Sequence, residues 1–236
     1  MKNAPWFSLL LVSALCARAP GTARARQTSA DEGWTTEFGV EAGELASTGR
    51  NPYFVLVPGY QLVLEDGEDR LVISVLAETK VVDGVETRVV EERESEDGEL
   101  VEVSRNFFAI SKRTNSVFYF GEEVDNYKGG QVANHAGRWL SGEKGARFGL
   151  MMPGQALLKA RYYQEQAPGE AMDRAEIVSM DATLETPEAK FEHCLVTEET
   201  TPLEPRERER KTYAPGVGLL QDGSMKLVHH GMAAAK

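Results

Sequence analysis

Asp66-Gly67, Asp83-Gly84 and Asp97-Gly98 fall between runs in which apolar and charged residues alternate, and that spacing commits the chain to tight antiparallel reversals. A two-residue hairpin loop needs positive φ, which Gly takes freely and Asp tolerates, so Asp-Gly between alternating runs marks a β-hairpin. In the run from Leu71 to Val82, Leu71, Ile73, Val75, Ala77 and Val81 share one face, and Ser74, Glu78 and Lys80 the other. Leu100 to Ser111 places Val101, Val103, Phe107 and Ala109 on one side, while Leu100, Phe108 and Ile110 keep the other apolar at its end. Val117-Phe118-Tyr119-Phe120 is apolar on both faces, as a doubly covered strand is. A helix competes for Val85 to Glu94, but Val85, Val89 and Val90 and the flanking Asp-Gly pairs favour a strand. Its charged end, Glu91 to Asp97, is expected to project into solvent.

The same punctuation continues at Asn115-Ser116, Gly129-Gly130 and Asp222-Gly223. Between Gly137 and Gly154 the composition turns to Gly, Arg, Lys and Met around Trp139 and Phe148, which reads as a long connection between two halves of a sheet. Strands are predicted at Leu157 to Gln166, Ala175 to Leu184, Cys194 to Thr200, Arg206 to Tyr213 and Leu219 to Val228; a short helix competes for the first of these. Pro168, Pro187, Pro202, Pro205 and Pro215 leave no room for long helices. The fold class expected is all-β, an antiparallel meander forming a strongly curved sheet or incomplete barrel with a long central connection. One domain is expected over residues 51–228, preceded by a flexible leader over 26–50, rich in Gly, Ala, Ser, Thr and Glu, and followed by a frayed tail over 229–236.

Residues 1–25 have the form of a secretory signal peptide: Lys2, an apolar run from Trp6 to Ala17, and the small-x-small pattern Ala23-Arg24-Ala25. The run falls short of the roughly 20 residues that span a bilayer, so an anchor is disfavoured and the mature chain is expected to be secreted or periplasmic, with no membrane span. A lipoprotein signal at Cys16 fits less well, because Leu15 stands where a small residue is expected. Removing residues 1–25 takes away Lys2, Arg18 and Arg24 and no acid, lowering the formal charge from -11 to -14. That balance argues against nucleic acid and anionic membrane surfaces as partners, since phosphate binding needs a basic stripe. Cys194 is then the one remaining cysteine, so stability comes from core burial and not from an internal disulfide.

Tyr213-Ala214-Pro215-Gly216-Val217-Gly218-Leu219 and Thr186-Pro187-Glu188-Ala189-Lys190-Phe191-Glu192-His193-Cys194, with Asn51-Pro52-Tyr53-Phe54 and the Thr200 to Pro205 segment, give the chain a likeness over most of residues 51–221. It resembles a group of exported bacterial proteins of unknown function that look like LolA-type half-barrels. The resemblance implies an open antiparallel sheet curved around a concave face, and it carries no catalytic residues. Ala189 stands where that pattern has Gly. The likeness to lipoprotein carriers is one of fold.

Searches for chemistry return little. The sequence has no Gly-x-Ser-x-Gly elbow, His-Glu-x-x-His pair, Walker loop or Cys-x-x-Cys, and Gly216-Val217-Gly218 lacks the third glycine of a dinucleotide loop. His135, His193, His229 and His230 are scattered, and His193 and Cys194, if in one strand, point to opposite faces, so neither a metal nor any other cofactor is expected. Cys194, beside Leu195 and Val196, reads as a small core hydrophobe rather than a thiol activated by His135. Glu91 to Glu99 lacks the alternating oxygen ligands of a Ca²⁺ loop. The function expected is a non-enzymatic exported binding module that takes a lipid or other apolar small molecule, or an envelope protein, on a concave face. Trp139, Phe148, Met151, Met152, Phe107, Phe118, Phe120 and Tyr162 are its candidate contacts, with plain core packing as the competing role for the aromatics. An envelope structural or interaction domain with a filled core, and a hydrolase, are the alternatives.

Overall fold

Alternation along each strand winds the sheet until its two ends nearly meet. The computed structural model describes residues 33–233, so the expected signal peptide, Cys16 and the first part of the leader lie outside it. Short strands β1 (Leu45–Ala46), β2 (Gly49–Asn51) and β3 (Phe54–Leu56) lead into a long meander: β4 (Tyr60–Asp66), β5 (Asp69–Val82), β6 (Val85–Glu96), β7 (Glu99–Ser111) and β8 (Val117–Lys128). The middle of the chain holds β9 (Gln131–Asn134), β10 (Trp139–Leu140), β11 (Arg147–Met152), β12 (Arg161–Tyr163) and β13 (Glu165–Gln166). A second meander follows: β14 (Arg174–Glu185), β15 (Lys190–Thr200), β16 (Glu209–Ala214), β17 (Gly218–Asp222) and β18 (Met225–Met232). All strand pairs in the main sheet are antiparallel, in the order β12-β14-β15-β16-β17-β18-β4-β5-β6-β7-β8-β11-β13. The fold is therefore all-β, a sheet almost closed into a barrel with one open seam. Among the described residues no helix is long and apolar enough to cross a membrane.

Two of the three Asp-Gly pairs form both central residues of their turns, whereas Asp66 ends β4 opposite Asp69 and Gly67-Glu68 make that reversal. Asp83 and Gly84 link Val82 to Val85 with φ of 49° and 76°, and Asp97 and Gly98 link Glu96 to Glu99 with φ of 48° and 78°. Positive φ at both central residues gives a turn whose twist matches that of the flanking strands.

The seam lies between β12 and β13, which Gln164 alone separates in the chain. The segment before β1 bridges it. Thr35 N–H donates to Arg161 O and accepts at its own carbonyl from Tyr163 N–H, both at 3.0 Å, while Gln166 Nε2 reaches Thr36 O at 3.2 Å and Phe148 O at 2.8 Å. The Arg174 guanidinium lies 4.3 Å from the centre of the Trp34 ring. Farther along, Phe38, Val40 and Leu45 cover the outer face of the sheet, packing on Val85, Val89, Phe107, Ala109, Phe118 and Phe120. This cover is why Val117 to Phe120 is apolar on both sides.

The domain thus begins before Asn51, and the stretch from Gly33 to Arg50 is part of it rather than a mobile leader. Its apolar residues are too sparse to show a period, yet each meets a sheet face that the meander leaves bare. The expected frayed tail is likewise in the sheet as far as Met232, with His229, His230, Gly231 and Met232 opposite Val63, Leu62, Gln61 and Tyr60. The expected long connection from Gly137 to Gly154 contains β10 and β11. The predicted strand from Leu157 to Gln166 is confined to β12 and β13, with Leu157 and Leu158 exposed in the turn before them.

One end of the barrel is stoppered by the β2–β3 hairpin. Phe54 packs on Phe108 with ring centres 5.0 Å apart. Asn51 is buried, and its amide donates to Asn115 O at 2.8 Å and Pro153 O at 2.9 Å. Gly216 N–H donates to Pro52 O at 2.7 Å, so the Asn-Pro-Tyr-Phe and Pro-Gly motifs dock on one another.

Closure demands close backbone approach at one point. A Cβ on Gly149 of β11 would lie 2.2 Å from Gln164 O, so Gly149→Ala must force the seam apart. Chemical denaturation should show this variant destabilised by about 3 kcal/mol, the upper part of the usual range for overpacking.

Candidate functional site

Winding the sheet turns one face of every strand into the wall of a lumen, and that wall changes character along the barrel axis. Near the stopper it is apolar: Tyr60 and Leu62 of β4, Ile73 and Val75 of β5, Val90 of β6, Phe108 of β7, Met151 of β11 and Leu219 of β17 surround a cavity of about 80 Å³. Glu92, Lys211 and Asp222 line the same cavity. Ile73 and Met151 are only half-buried although they face inward, because they border this empty space.

Toward the opposite end the wall is acidic. Glu92 and Glu94 of β6, Glu102 of β7, Glu122 of β8, Glu165 of β13, Asp173, Glu199 of β15, Glu209 of β16 and Asp222 of β17 interact electrostatically across the lumen. β6 and β16 are not neighbours in the sheet, so coupling between Glu92 and Lys211 is possible only through the interior. Lys211 Nζ lies 3.4 Å from Glu199 and 3.3 Å from Asp222. These two contacts pair it into the ring. Glu199 also accepts from Gln164 Nε2 and Thr197 Oγ1, each at 3.2 Å.

Burial without a counter-ion disfavours the charged form of a carboxyl group. It pushes Glu92 up to about 7, and together with neighbouring acids it pushes Glu94 and Glu122 up to about 8. Burial likewise takes Glu209 up to about 8, opposed by Lys211 and reinforced by Asp222, and raises Glu165 and Asp173. Burial alone would lower Lys211, but Asp222, Glu199 and Glu209 around it hold its ammonium charged well above the usual lysine range. The lumen at neutral pH is therefore a partly protonated acid store around one fixed cation.

Three buried groups on this face have no partner: Asp222 Oδ1, the Tyr162 hydroxyl and the indole N–H of Trp139, which lies across from Glu122. Tyr162 is 2% exposed and feels the charge of Glu199. Tyr119, also in the lumen wall, donates its hydroxyl to Asn106 Oδ1.

The structure separates the aromatic and methionine set singled out in the sequence. Met151 borders the cavity, and Tyr162 belongs to the acidic end. Phe107, Phe118, Phe120 and Phe148 do cluster, with Phe120 and Phe148 stacked at 4.9 Å, but on the outer face beneath the N-terminal segment. Trp139 packs edge-on against Tyr119 at 5.3 Å, its indole N–H unpartnered. Met152 is fully buried, and its carbonyl lies within reach of the Asn51 amide at 3.5 Å. The reason for the split is parity: Phe107 and Phe108, or Phe118 and Tyr119, are consecutive and point to opposite faces.

The acidic ring is what sequence reasoning misses. The charged end of β6 does not all project outward, because Glu92 and Glu94 share the inward face with Val90. Its signal is present in the register: charge falls on both faces of β6, at Glu91 and Arg93 as well as at Glu92 and Glu94. His135 bonds Asp125 at 2.9 Å, His193 bonds Asp181 at 2.6 Å and His230 bonds Glu188 at 2.8 Å, at three separate places on the barrel. Among the described residues no group of three or more His, Cys, Asp or Glu is placed to hold a metal ion. Cys194 is fully buried in β15, several strands away from His135, which bonds β8, and burial raises its thiol.

No protein-family model matches the chain, and no curated protein or solved structure shows significant similarity to it.

Carboxyl groups whose pKa is raised by folding bind protons more tightly in the native state, so their contribution is greatest at low pH and is lost as pH rises through 7 to 8. The melting temperature should fall between pH 5.5 and pH 8.5, and Glu122→Gln should flatten that fall and raise the melting temperature at pH 8.5. Lys211→Met should cost about 3 kcal/mol at pH 8.5 by equilibrium denaturation, because it strands Glu199 and Asp222 without a counter-charge.

Proposed function

We propose that the protein is an exported, non-enzymatic binding module that holds a small amphipathic molecule in the barrel lumen. The observation that carries this reading is the unfilled cavity where the apolar wall of Leu62, Ile73, Val75, Val90 and Phe108 meets Glu92, Lys211 and Asp222. A space of about 80 Å³ holds a handful of waters and falls below the roughly 300 Å³ at which drug-sized sites begin, so the ligand is a short amphipath and not a whole lipid. The resemblance to exported half-barrel proteins and the signal-like residues 1–25 support the export part of the reading, and both rest on sequence.

A second reading, an envelope interaction domain whose barrel is only a scaffold, is favoured by the cavity's small volume of about 80 Å³, well under the roughly 300 Å³ of a drug-sized site, and by the stopper, since the β2–β3 hairpin already fills one end with Phe54, Val55 and Leu56. The two readings part in a thermal-shift assay of the mature chain against straight-chain C6 compounds with neutral, cationic and anionic heads. On the binding reading at least one of them raises the melting temperature by about 5 °C at saturating concentration, as a ligand at about 100 times its Kd should. Ile73→Trp, which fills the cavity from its half-exposed wall, should abolish the shift and leave the apo protein folded. No shift with any head group, and no small molecule carried through purification in native mass spectrometry, would leave the scaffold reading in place.

A further inference from the structure

Building on the lumenal binding reading, we infer that the ligand's head group is a cation, a primary ammonium on a short alkyl chain, seated among Glu92, Glu122 and Asp222 with its tail against Ile73, Val75 and Phe108.

The first support is the balance of donors and acceptors. The acidic end of the lumen presents carboxylates from β6, β7, β8, β13, β15, β16 and β17, and Lys211 answers only Glu199 and Asp222 among them. An ammonium offers three donors and no acceptor, and its charge favours the ionised, accepting form of the facing carboxyl groups, part of which hold protons at neutral pH, so its binding releases protons. A carboxylate or phosphate head would find one lysine there, already paired twice.

The second support is independent of the charge count. Asp222 Oδ1 and the Tyr162 hydroxyl are more than nine-tenths buried and unpartnered, and the first lines the cavity itself. Buried oxygen atoms without a partner are rare in folded proteins, and a bound donor is the usual explanation. Asp222 Oδ2 is held by Lys211, and the protonated Glu209 carboxyl is the other hydrogen-bonding neighbour of this carboxylate, the proton that an arriving ammonium would displace.

Shape selects an alkylammonium over the other cations. No three acidic or histidine side chains among the described residues converge tightly enough to share a metal ion, and the charge is spread around the wall instead. The cavity directly below it is apolar and small, which suits a few methylenes.

Titration calorimetry of the mature protein at pH 7.5 with n-hexylammonium, n-hexanol and n-hexanoate tests this. Hexylammonium should bind at least tenfold more tightly than hexanol, and hexanoate should not bind detectably. Glu92→Gln should reduce hexylammonium affinity about tenfold while leaving hexanol unchanged. Tyr162→Phe, which keeps the ring and the packing, should weaken hexylammonium several-fold without loss of apo stability. Equal affinity for hexanol and hexylammonium overturns the cation inference and leaves the lumenal binding reading standing. Tighter binding of hexanoate overturns it as well, and makes Lys211 the head-group partner. Failure of all three to bind removes both the inference and the reading it rests on.

Discussion

Everything in this fold depends on the meeting of β12 and β13 across a single residue. A sheet edge exposes unpaired N–H and C=O groups, and closing the sheet is the one arrangement that removes both edges at once. Here the chain passes through Gln164 from one edge strand to the other, and Thr35 and Gln166 bridge the seam that stays open between them, with the missing side chain of Gly149 allowing the close approach. The N-terminal segment is consequently structural: it bridges the seam with its backbone at Thr35, and a few residues later covers the outer apolar face with Phe38, Val40 and Leu45.

Closure also decides what the charges mean. In an open sheet the acidic end of β6 would face water on both sides, and its carboxyls would titrate as ordinary surface groups. Wound into a barrel, Glu92 and Glu94 both feel Asp222 across the lumen, and Glu92 feels Lys211 as well, while burial makes their ionisation costly. The interior therefore trades stability for a concentration of proton-holding and cation-attracting groups, a trade that polar sites in otherwise well-packed proteins commonly make. Lys211 tempers the cost by holding Glu199 and Asp222 at salt-bridge distance. The apolar half below, with Phe54 on Phe108 and the core residues of β4 and β5, supplies the burial that keeps the barrel folded.

Local turn chemistry made much of this legible. Asp83-Gly84 and Asp97-Gly98 sit at reversals because φ is a property of the residue pair and needs no partner from elsewhere, while at Asp222-Gly223 only the glycine takes positive φ and Asp222 ends its strand. Strand faces in β7 are equally readable, but in β5 a register shift between Val75 and Thr79 breaks the alternation, leaving Ala77 and Val81 exposed and Val82 buried. The covering segment is not readable, because Phe38 and Val40 are isolated apolar residues whose meaning comes from Phe118 and Phe148, far along the chain. Nor is the acidic ring, because Glu92 looks like any exposed glutamate until the strands that face it are known. The aromatic set was a natural choice for a site, yet alternation puts Phe107, Phe118 and Phe120 outside and leaves Met151 and Tyr162 within reach of the lumen.

The amino-acid sequence alone determines that this chain is an antiparallel meander, where it reverses, and which residues share a face, because each of these depends on backbone dihedrals and a two-residue period. It does not determine which face becomes the inside. That choice is made by closure, through contacts such as Thr35 with Tyr163 and Gly149 with Gln164 that join distant parts of the chain. Once the ring shuts, identical glutamates on successive positions of one strand part company. Glu91 stays on the outside, where it pairs with arginines, and Glu92 becomes an acid in the wall of the inner cavity.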